Sequence, residues 1–280
     1  MPMREKLPGP KKGKDYMESR RSRRRQRKLL PVQVLYDTCQ QVFADSGPGI
    51  VPDPEKIQLL KTVLDGISGA DVGVNPNMPF FREQKTEGLP TITYLHIHEC
   101  DKFSIGIFCL PPSGVLPLHN HPQMTVFSKL LFGTMHIKSL DWVNGVPSNK
   151  VPDGDSSNAN GALSAEARLA KVKVDSDFIA PCDTSILYPT DGGNMHCFTA
   201  VTQCAVLDVL GPPYNDSEGR HCAYYIEHPF DPISANGISI GEEEREGYEW
   251  LQERDKPEGL TVYGVPYSGP PIAKWETAGS

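Results

Sequence analysis

The feature that most constrains the fold is a series of short apolar segments that starts near residue 90. The segments are four to eight residues long and end at turn residues, which is typical of β-strands. With 25 glycines and 26 prolines in 280 residues, the chain suits many short strands better than a helical bundle. We predict a mainly β sandwich or closed double sheet. The eight predicted strands lie at 91–98, 103–110, 125–132, 134–140, 170–174, 185–188, 197–201 and 204–210.

Helical spacing precedes these strands. Apolar residues recur at nearly helical spacing over 31–45, and a second helix starts near Asp53, which can cap it, and Pro54, which suits a first turn. We therefore predict a helical N-terminal extension over 31–70 and a β domain over 71–280.

Three later segments differ from the strands in residue composition. Residues 144–167 are small and polar, so we predict a mobile loop between strands. The charged residues of 242–254 predict a short helix, and the tail from Pro257 onward is expected to be extended.

The N-terminus differs in charge from the rest of the chain. Residues 1–28 hold 12 Lys/Arg and 3 Asp/Glu, a net charge of +9, whereas the remainder carries −16. We predict a disordered basic tail over 1–30, either a nuclear import signal or only a solvated tail. The acidic body argues against specific nucleic-acid binding. The chain has neither an 18-residue apolar run nor the apolar core of a secretory signal, so we expect no membrane partner and a location in nucleus and cytoplasm.

Two HxH pairs are the strongest chemical signal. Residues i and i+2 of a strand point to the same face, so such a pair can offer two imidazoles to one metal ion. His119 and His121 follow a turn and are the better candidates. His96 and His98 lie within a strand, where ordinary packing or hydrogen bonding is favoured. His196 follows two glycines that permit a sharp turn, and it is the best third ligand.

This arrangement resembles the cupin superfamily, whose first motif contains Gly, HxH, Glu and Gly and whose second contains Gly, two residues and His. Gly114, His119, His121 and Gly133 fit the first motif approximately, and Gly193 and His196 fit the second. Val126 stands where the Glu would be and Ala200 where a later Asn would be, so the carboxylate ligand is lost. Three neutral imidazoles would leave the full charge on a divalent ion and favour an anionic substrate ligand such as a thiolate.

Longer stretches are similar to the plant cysteine oxidases, relatives of animal cysteamine (2-aminoethanethiol) dioxygenase. These stretches are 94–100, 117–122, 124–140 and 207–214, within a resemblance over about 31–275. The resemblance implies a cupin-type double-stranded β-helix (jelly roll) and an Fe(2+) enzyme. It implies that O₂ oxidises the N-terminal Cys of target proteins to the sulfinic acid. Those targets include hypoxia-response transcription factors, which an N-degron pathway then degrades.

By the same resemblance, His119, His121 and His196 are the iron ligands, and Asp208 and Tyr214 are catalytic residues. Asp208 interrupts an apolar strand, so it either forms a structural hydrogen bond or orients a histidine or the substrate amine. Cys197 and Cys222 are expected near the site, without a basis for a Cys–Tyr crosslink.

Other functions stay open at this point. The chain could be a non-catalytic nuclear cupin that binds a partner, a dioxygenase of free small thiols, or a cupin isomerase or sugar-binding enzyme with another metal. The missing Glu argues against the last. Since no helix suited to pairing is evident, we expect a monomer.

Overall fold

A computed structural model describes residues 29–82, 89–152, 164–230 and 241–273. Within these ranges the chain forms two α-helices, α1 (Pro31–Val42) and α2 (Pro54–Asp65), and thirteen strands. The strands are β1 (Ile92–Glu99), β2 (Ser104–Leu110), β3 (Val115–Asn120), β4 (Thr125–Phe132), β5 (Thr134–Trp142), β6 (Asn149–Pro152), β7 (Ser164–Ile179), β8 (Ser185–Leu187), β9 (Met195–Ala200), β10 (Cys204–Gly211), β11 (Tyr224–Pro229), β12 (Tyr248–Arg254) and β13 (Val262–Pro266).

The strands form two sheets that pack face to face. The first sheet has the order β13-β1-β2-β10-β4-β8, and the second has the order β12-β11-β3-β9-β5-β7-β6. Strand β12 also pairs with β7, so six strands of the second sheet close into a ring. This is the predicted mainly β, cupin-type double-stranded β-helix.

Side chains alternate along the strands of the first sheet, so each of its two faces carries its own apolar cluster. One layer faces the second sheet, where Leu110 and Val206 pack with Leu116 and Phe198. The odd-numbered positions of β2 and β10 face the other way and bury the helices. Because one sheet face covers a core and the other covers the helices, both faces of β2 and β10 are apolar.

The helices lie against this outer layer. Leu35 and Leu60 are fully buried there and pack in the same cluster as Ile107. Both helices begin with proline, whose missing N–H costs nothing in a first turn. The expected cap by Asp53 is wrong, since its side chain makes no capping hydrogen bond.

The structure differs from the expected strands in several places. The predicted segment 170–174 is part of β7, which has 16 residues. Strands β6 and β7 extend into 144–167, so that segment is not one loop, and its centre, 153–163, lies outside the described residues. The segment 242–254 is not a helix: Glu242–Gly247 is a 3₁₀ turn, and β12 follows because Trp250 is buried and the strand pairs on both sides.

The C-terminal segment completes the first sheet. Strand β13 pairs in parallel with β1, with Val262 opposite Ile92. Beyond it, the Gln33 amide of α1 accepts the N–H of Ala273 at 2.6 Å and donates to its carbonyl at 3.1 Å. Among the described residues, no helix is both long and apolar enough to cross a membrane. The basic tail 1–28 lies outside the described residues.

Candidate metal centre

Two neighbouring strands of the second sheet carry the three predicted histidine ligands. His119 is the fifth residue of β3, His121 follows directly after that strand, and His196 is the second residue of β9. His119 pairs with His196 in the antiparallel register, which places their side chains on the same face. Among the His, Cys, Asp and Glu side chains of the described residues, these three lie close enough together to hold one metal ion.

The three imidazoles converge on one point. The distances between ring centroids are 4.9 Å for His119 and His121, 4.8 Å for His119 and His196, and 4.7 Å for His121 and His196. The Nε2 atoms of His121 and His196 are 3.2 Å apart. Two nitrogens each about 2.1 Å from one ion are about 3.0 to 3.4 Å apart at right or tetrahedral angles. The spacing therefore fits a shared metal ion.

Hydrogen bonds set which ring nitrogen is free to bind. The Nδ1–H of His119 donates to the Pro117 carbonyl at 2.8 Å. The Tyr214 hydroxyl donates to the Asn120 carbonyl at 2.7 Å and lies 2.9 Å from His121 Nδ1. Because that hydroxyl has only one proton, His121 Nδ1–H must donate to its oxygen. Both histidines therefore present a free Nε2 lone pair to the centre.

Burial keeps these ligands neutral. It lowers the pKa of His119, partly opposed by the bond to the Pro117 carbonyl. The pKa values of His121 and His196 lie well below the ordinary value, first through burial and then through the neighbouring histidines. Neutral imidazole is the form that binds metals. The His196 ring is also stacked on Phe198 at 4.2 Å.

No carboxylate joins the three histidines within the described ranges. Val126, at the place of the usual cupin Glu, is fully buried in an apolar cluster with Leu187 and Leu210. The donor set fits a divalent transition metal, since imidazole suits iron, copper, nickel and zinc. His119, His121 and His196 would hold such an ion at the wall of a cavity.

A cavity of about 290 Å³ opens in front of the histidines. Its walls come from both sheets and are mainly apolar, with Phe108, Leu116 and Leu210 among them. Polar groups enter from Tyr94, Glu99 and Asp208 of the first sheet. A mainly apolar cleft with a few convergent polar groups is typical of a small-ligand or catalytic site.

Asp208 lies in this cavity and is 4 % exposed. Its register partners are Gly106 on β2 and Ser128 on β4. Burial raises the pKa of Asp208 to about 7, partly opposed by a hydrogen bond from Ser128. Its Oδ1 has no hydrogen-bond partner among the described residues. A buried carboxylate with a vacant acceptor site suits a cationic or hydrogen-bonding ligand better than a purely structural role.

The structure places Tyr214 behind His121, where it orients a ligand histidine through the hydroxyl contact described above. Cys222 lines the cavity, and burial raises the pKa of its thiol, partly opposed by hydrogen bonding with Tyr214 and Tyr224. Cys197, the other expected cysteine, packs against a different apolar cluster away from the cavity.

His96 and His98 do not join the metal centre. His98 is buried, and its ring contacts Tyr36 at 4.8 Å and Phe103 at 5.1 Å between centroids. His96 is exposed beyond Tyr94. The expectation of ordinary packing is therefore confirmed for His98.

Sequence reasoning missed Tyr94. Its hydroxyl lies over Gly106, where an added Cβ would come within 2.3 Å of it. Burial raises the pKa of Tyr94 to about 12, and the Asp208 carboxylate adds to this effect. The sequence contains a signal for it: Tyr94 is two residues after Ile92 and so shares its inner face of β1, and Gly106 in the neighbouring strand leaves space for its ring.

Fold and site together define a cupin with a three-histidine metal centre. The PCO_ADO family model matches residues 63–272. The chain is 62% identical over 252 residues to "Plant cysteine oxidase 2" of Arabidopsis thaliana, covering 89% of this chain and 86% of that protein. It is 31% identical to "2-aminoethanethiol dioxygenase" of Homo sapiens, covering 84% and 87%. The chain therefore belongs to the PCO_ADO family.

Solved structures that match include a protein with a double-stranded β-helix domain from Klebsiella pneumoniae. That match has 13% identity and a TM-score of 0.29, and it covers 52% of this chain and 90% of the other. A TM-score this low does not establish a shared fold, so the fold class follows from the strand order alone.

Proposed function

We propose that this protein is an Fe(II) thiol dioxygenase that converts the N-terminal Cys of target proteins to cysteine sulfinic acid. The observation that carries the proposal is the centre of three neutral histidines, joined by no carboxylate of the described residues, which faces a cavity that holds Asp208. Such a centre favours an anionic ligand from the substrate, and a metal deprotonates a coordinating thiol. The names of the relatives support a thiol as the substrate.

The reaction balances without another reductant. R–SH and O₂ give R–SO₂H, with both oxygen atoms bonded to sulfur. Sulfur loses four electrons and O₂ gains four. Iron held by Nε2 of His119, His121 and His196 would supply the redox chemistry that brings thiolate and O₂ together.

The residues of the chain bind and orient the substrate. The free Oδ1 of Asp208 is an acceptor for the α-ammonium group of an N-terminal cysteine, and such a bond is charge-assisted when the carboxyl is ionised. An ammonium group beside it lowers the pKa of Asp208 from its value of about 7. The apolar walls exclude water from the thiol.

The test is mass spectrometry of a Cys-initiated peptide incubated in air with the Fe(II)-loaded protein. Free cysteine, free cysteamine, an anaerobic sample and the His196→Ala variant serve as comparisons. We expect a gain of two oxygen atoms on the peptide that requires iron, O₂ and His196. Oxidation of the small thiols alone would favour a small-thiol dioxygenase, and no oxidation with iron bound would favour a non-catalytic cupin.

The cellular role extends the same proposal. Oxidised termini would feed an oxygen-dependent N-degron pathway that removes hypoxia-response transcription factors. The basic residues 1–28 support action in the nucleus as well as the cytoplasm. A monomer is sufficient for the proposed chemistry, because all three histidines come from one chain.

A further inference from the structure

His121 lies just beyond the regular backbone pairing that holds the other two ligands. The ladder between β3 and β9 joins His119 to His196 and ends with the pair Asn120 and Met195. Backbone pairing with β9 therefore does not set the position of His121, and other groups must hold it.

The side chain of Asn194 takes the place of the missing pairing. Its Oδ1 accepts the N–H of His121 at 3.2 Å, and its Nδ2 donates to the His121 carbonyl at 2.8 Å. The same Nδ2 donates to the Tyr188 carbonyl at 2.8 Å. Asn194 is 8 % exposed, so water does not compete freely for these bonds. One amide thus joins the HxH segment to the turn that precedes His196.

Asp141, at the end of β5, fixes that turn in place. Its carboxylate accepts the N–H of Gly193 at 3.0 Å and the N–H of Asn194 at 2.8 Å, and the residue is 6 % exposed. Lys173 lies 3.7 Å from this carboxylate and balances its charge. Hydrogen bonds from backbone N–H groups to a buried carboxylate are among the stronger hydrogen bonds in proteins.

The turn leaves little freedom for an alternative position. Gly193 has φ +86°, and a Cβ there would lie 2.3 Å from the Ser139 Oγ. Ser139 of β5, two positions before Asp141, therefore lies directly against the turn and leaves no room for a side chain at position 193.

We propose that Asp141 and Asn194 are positioning residues of the metal centre. They form a chain of hydrogen bonds from β5 through the turn to the His121 backbone, and this chain sets the 3.2 Å spacing of the His121 and His196 nitrogens. Neither residue touches the cavity. The inference depends on the three-histidine centre and is independent of which thiol is oxidised.

The test uses Co(II) as the probe metal in the full-length protein. Asn194→Ala and Asp141→Asn are compared with Asp177→Asn, a matched control on β7 whose carboxylate is exposed and lies 2.8 Å from His136, outside this chain of hydrogen bonds. The measurements are the Co(II) dissociation constant by chelator competition, the visible absorption spectrum of the Co(II) form, and the melting temperature of the metal-free protein.

We expect Asn194→Ala to weaken Co(II) binding by about 10- to 100-fold and to change the spectrum, the size typical of residues that orient metal ligands. Asp141→Asn should shift both in the same direction, and the control should match the wild type. An unchanged spectrum with affinity within about twofold of wild type would overturn the proposal. A lower melting temperature with unchanged Co(II) affinity and an unchanged spectrum would overturn it as well. If Asn194→Ala does not fold, Asp141→Asn and Asn194→Asp, which keeps only the acceptor, decide the question by the same readouts.

Discussion

Replacing Asp208 with Asn should remove a pH dependence from the stability of the metal-free protein. The folded carboxyl has a pKa of about 7, whereas its unfolded value is near 3.8. Between these values the unfolded state is ionised and the folded state holds the proton. The Asp208 contribution to the free energy of unfolding therefore falls as pH rises from about 4 to about 7 and is level above. The three buried histidines, whose folded pKa values are lowered, contribute with the opposite sign in wild type and variant alike.

The size of the effect follows from this difference. About three pKa units at 1.36 kcal/mol each give an upper limit of about 4 kcal/mol. Between about pH 5 and about pH 8 the pH passes through roughly two of those units. On going from the lower to the higher pH, the free energy of unfolding of Asp208→Asn should therefore increase by about 2 to 3 kcal/mol relative to that of the wild type. The amide keeps nearly the same shape and cannot ionise.

Urea unfolding of chelator-treated protein at these two pH values measures the effect. Asp101→Asn, a change at an exposed carboxyl, is the control for general electrostatics. Wild type and Asp208→Asn with the same pH dependence would refute the argument that burial of this carboxyl is costly. In the Fe(II) form, the same variant should retain metal and lose peptide oxidation, because an amide cannot form an ion pair with the substrate ammonium. Failure to fold would instead support a structural role for Asp208.

Three further outcomes follow from the structure. Tyr214→Phe removes the acceptor for His121 Nδ1–H and should lower metal affinity about tenfold, measured as metal retained after dialysis, and full retention would contradict this. Gly193→Ala combines a positive φ with a contact to Ser139 and should lower the free energy of unfolding by about 2 kcal/mol in urea titrations, whereas a loss below about 0.5 kcal/mol would show that the turn adapts. Deletion of 1–28 should leave peptide oxidation unchanged and reduce the nuclear fraction of a tagged protein, and an unchanged fraction would exclude the import role.

The sequence predicted elements whose pattern is local. Strand β1 was found because alternation is clear over its length, and α2 because Pro54 marks its start. Strand β3 was not found, since Pro117 and polar residues interrupt its apolar pattern. Strand β12 was missed because the acidic residues before it masked the buried Trp250, whose pairing with β7 spans about 80 residues of chain.

The metal ligands were visible for a similar reason. The HxH spacing and the glycines before His196 are short-range signals that reflect strand geometry and a sharp turn. Asp141 and Asn194 left no such signal. Apart from the Tyr188 carbonyl, their partners are backbone groups 52 to 73 residues away along the chain, so only the folded register brings them together.

The parallel pairing of β13 with β1 has a consequence for the order of events during synthesis. Val262 lines the cavity, yet its register partner Ile92 is made 170 residues earlier. A growing chain can assemble the histidines once β9 has emerged, but it holds an incomplete cavity until β13 arrives. Long-range pairings of this kind form late and slowly. A nascent chain could therefore acquire its metal well before it can enclose a substrate.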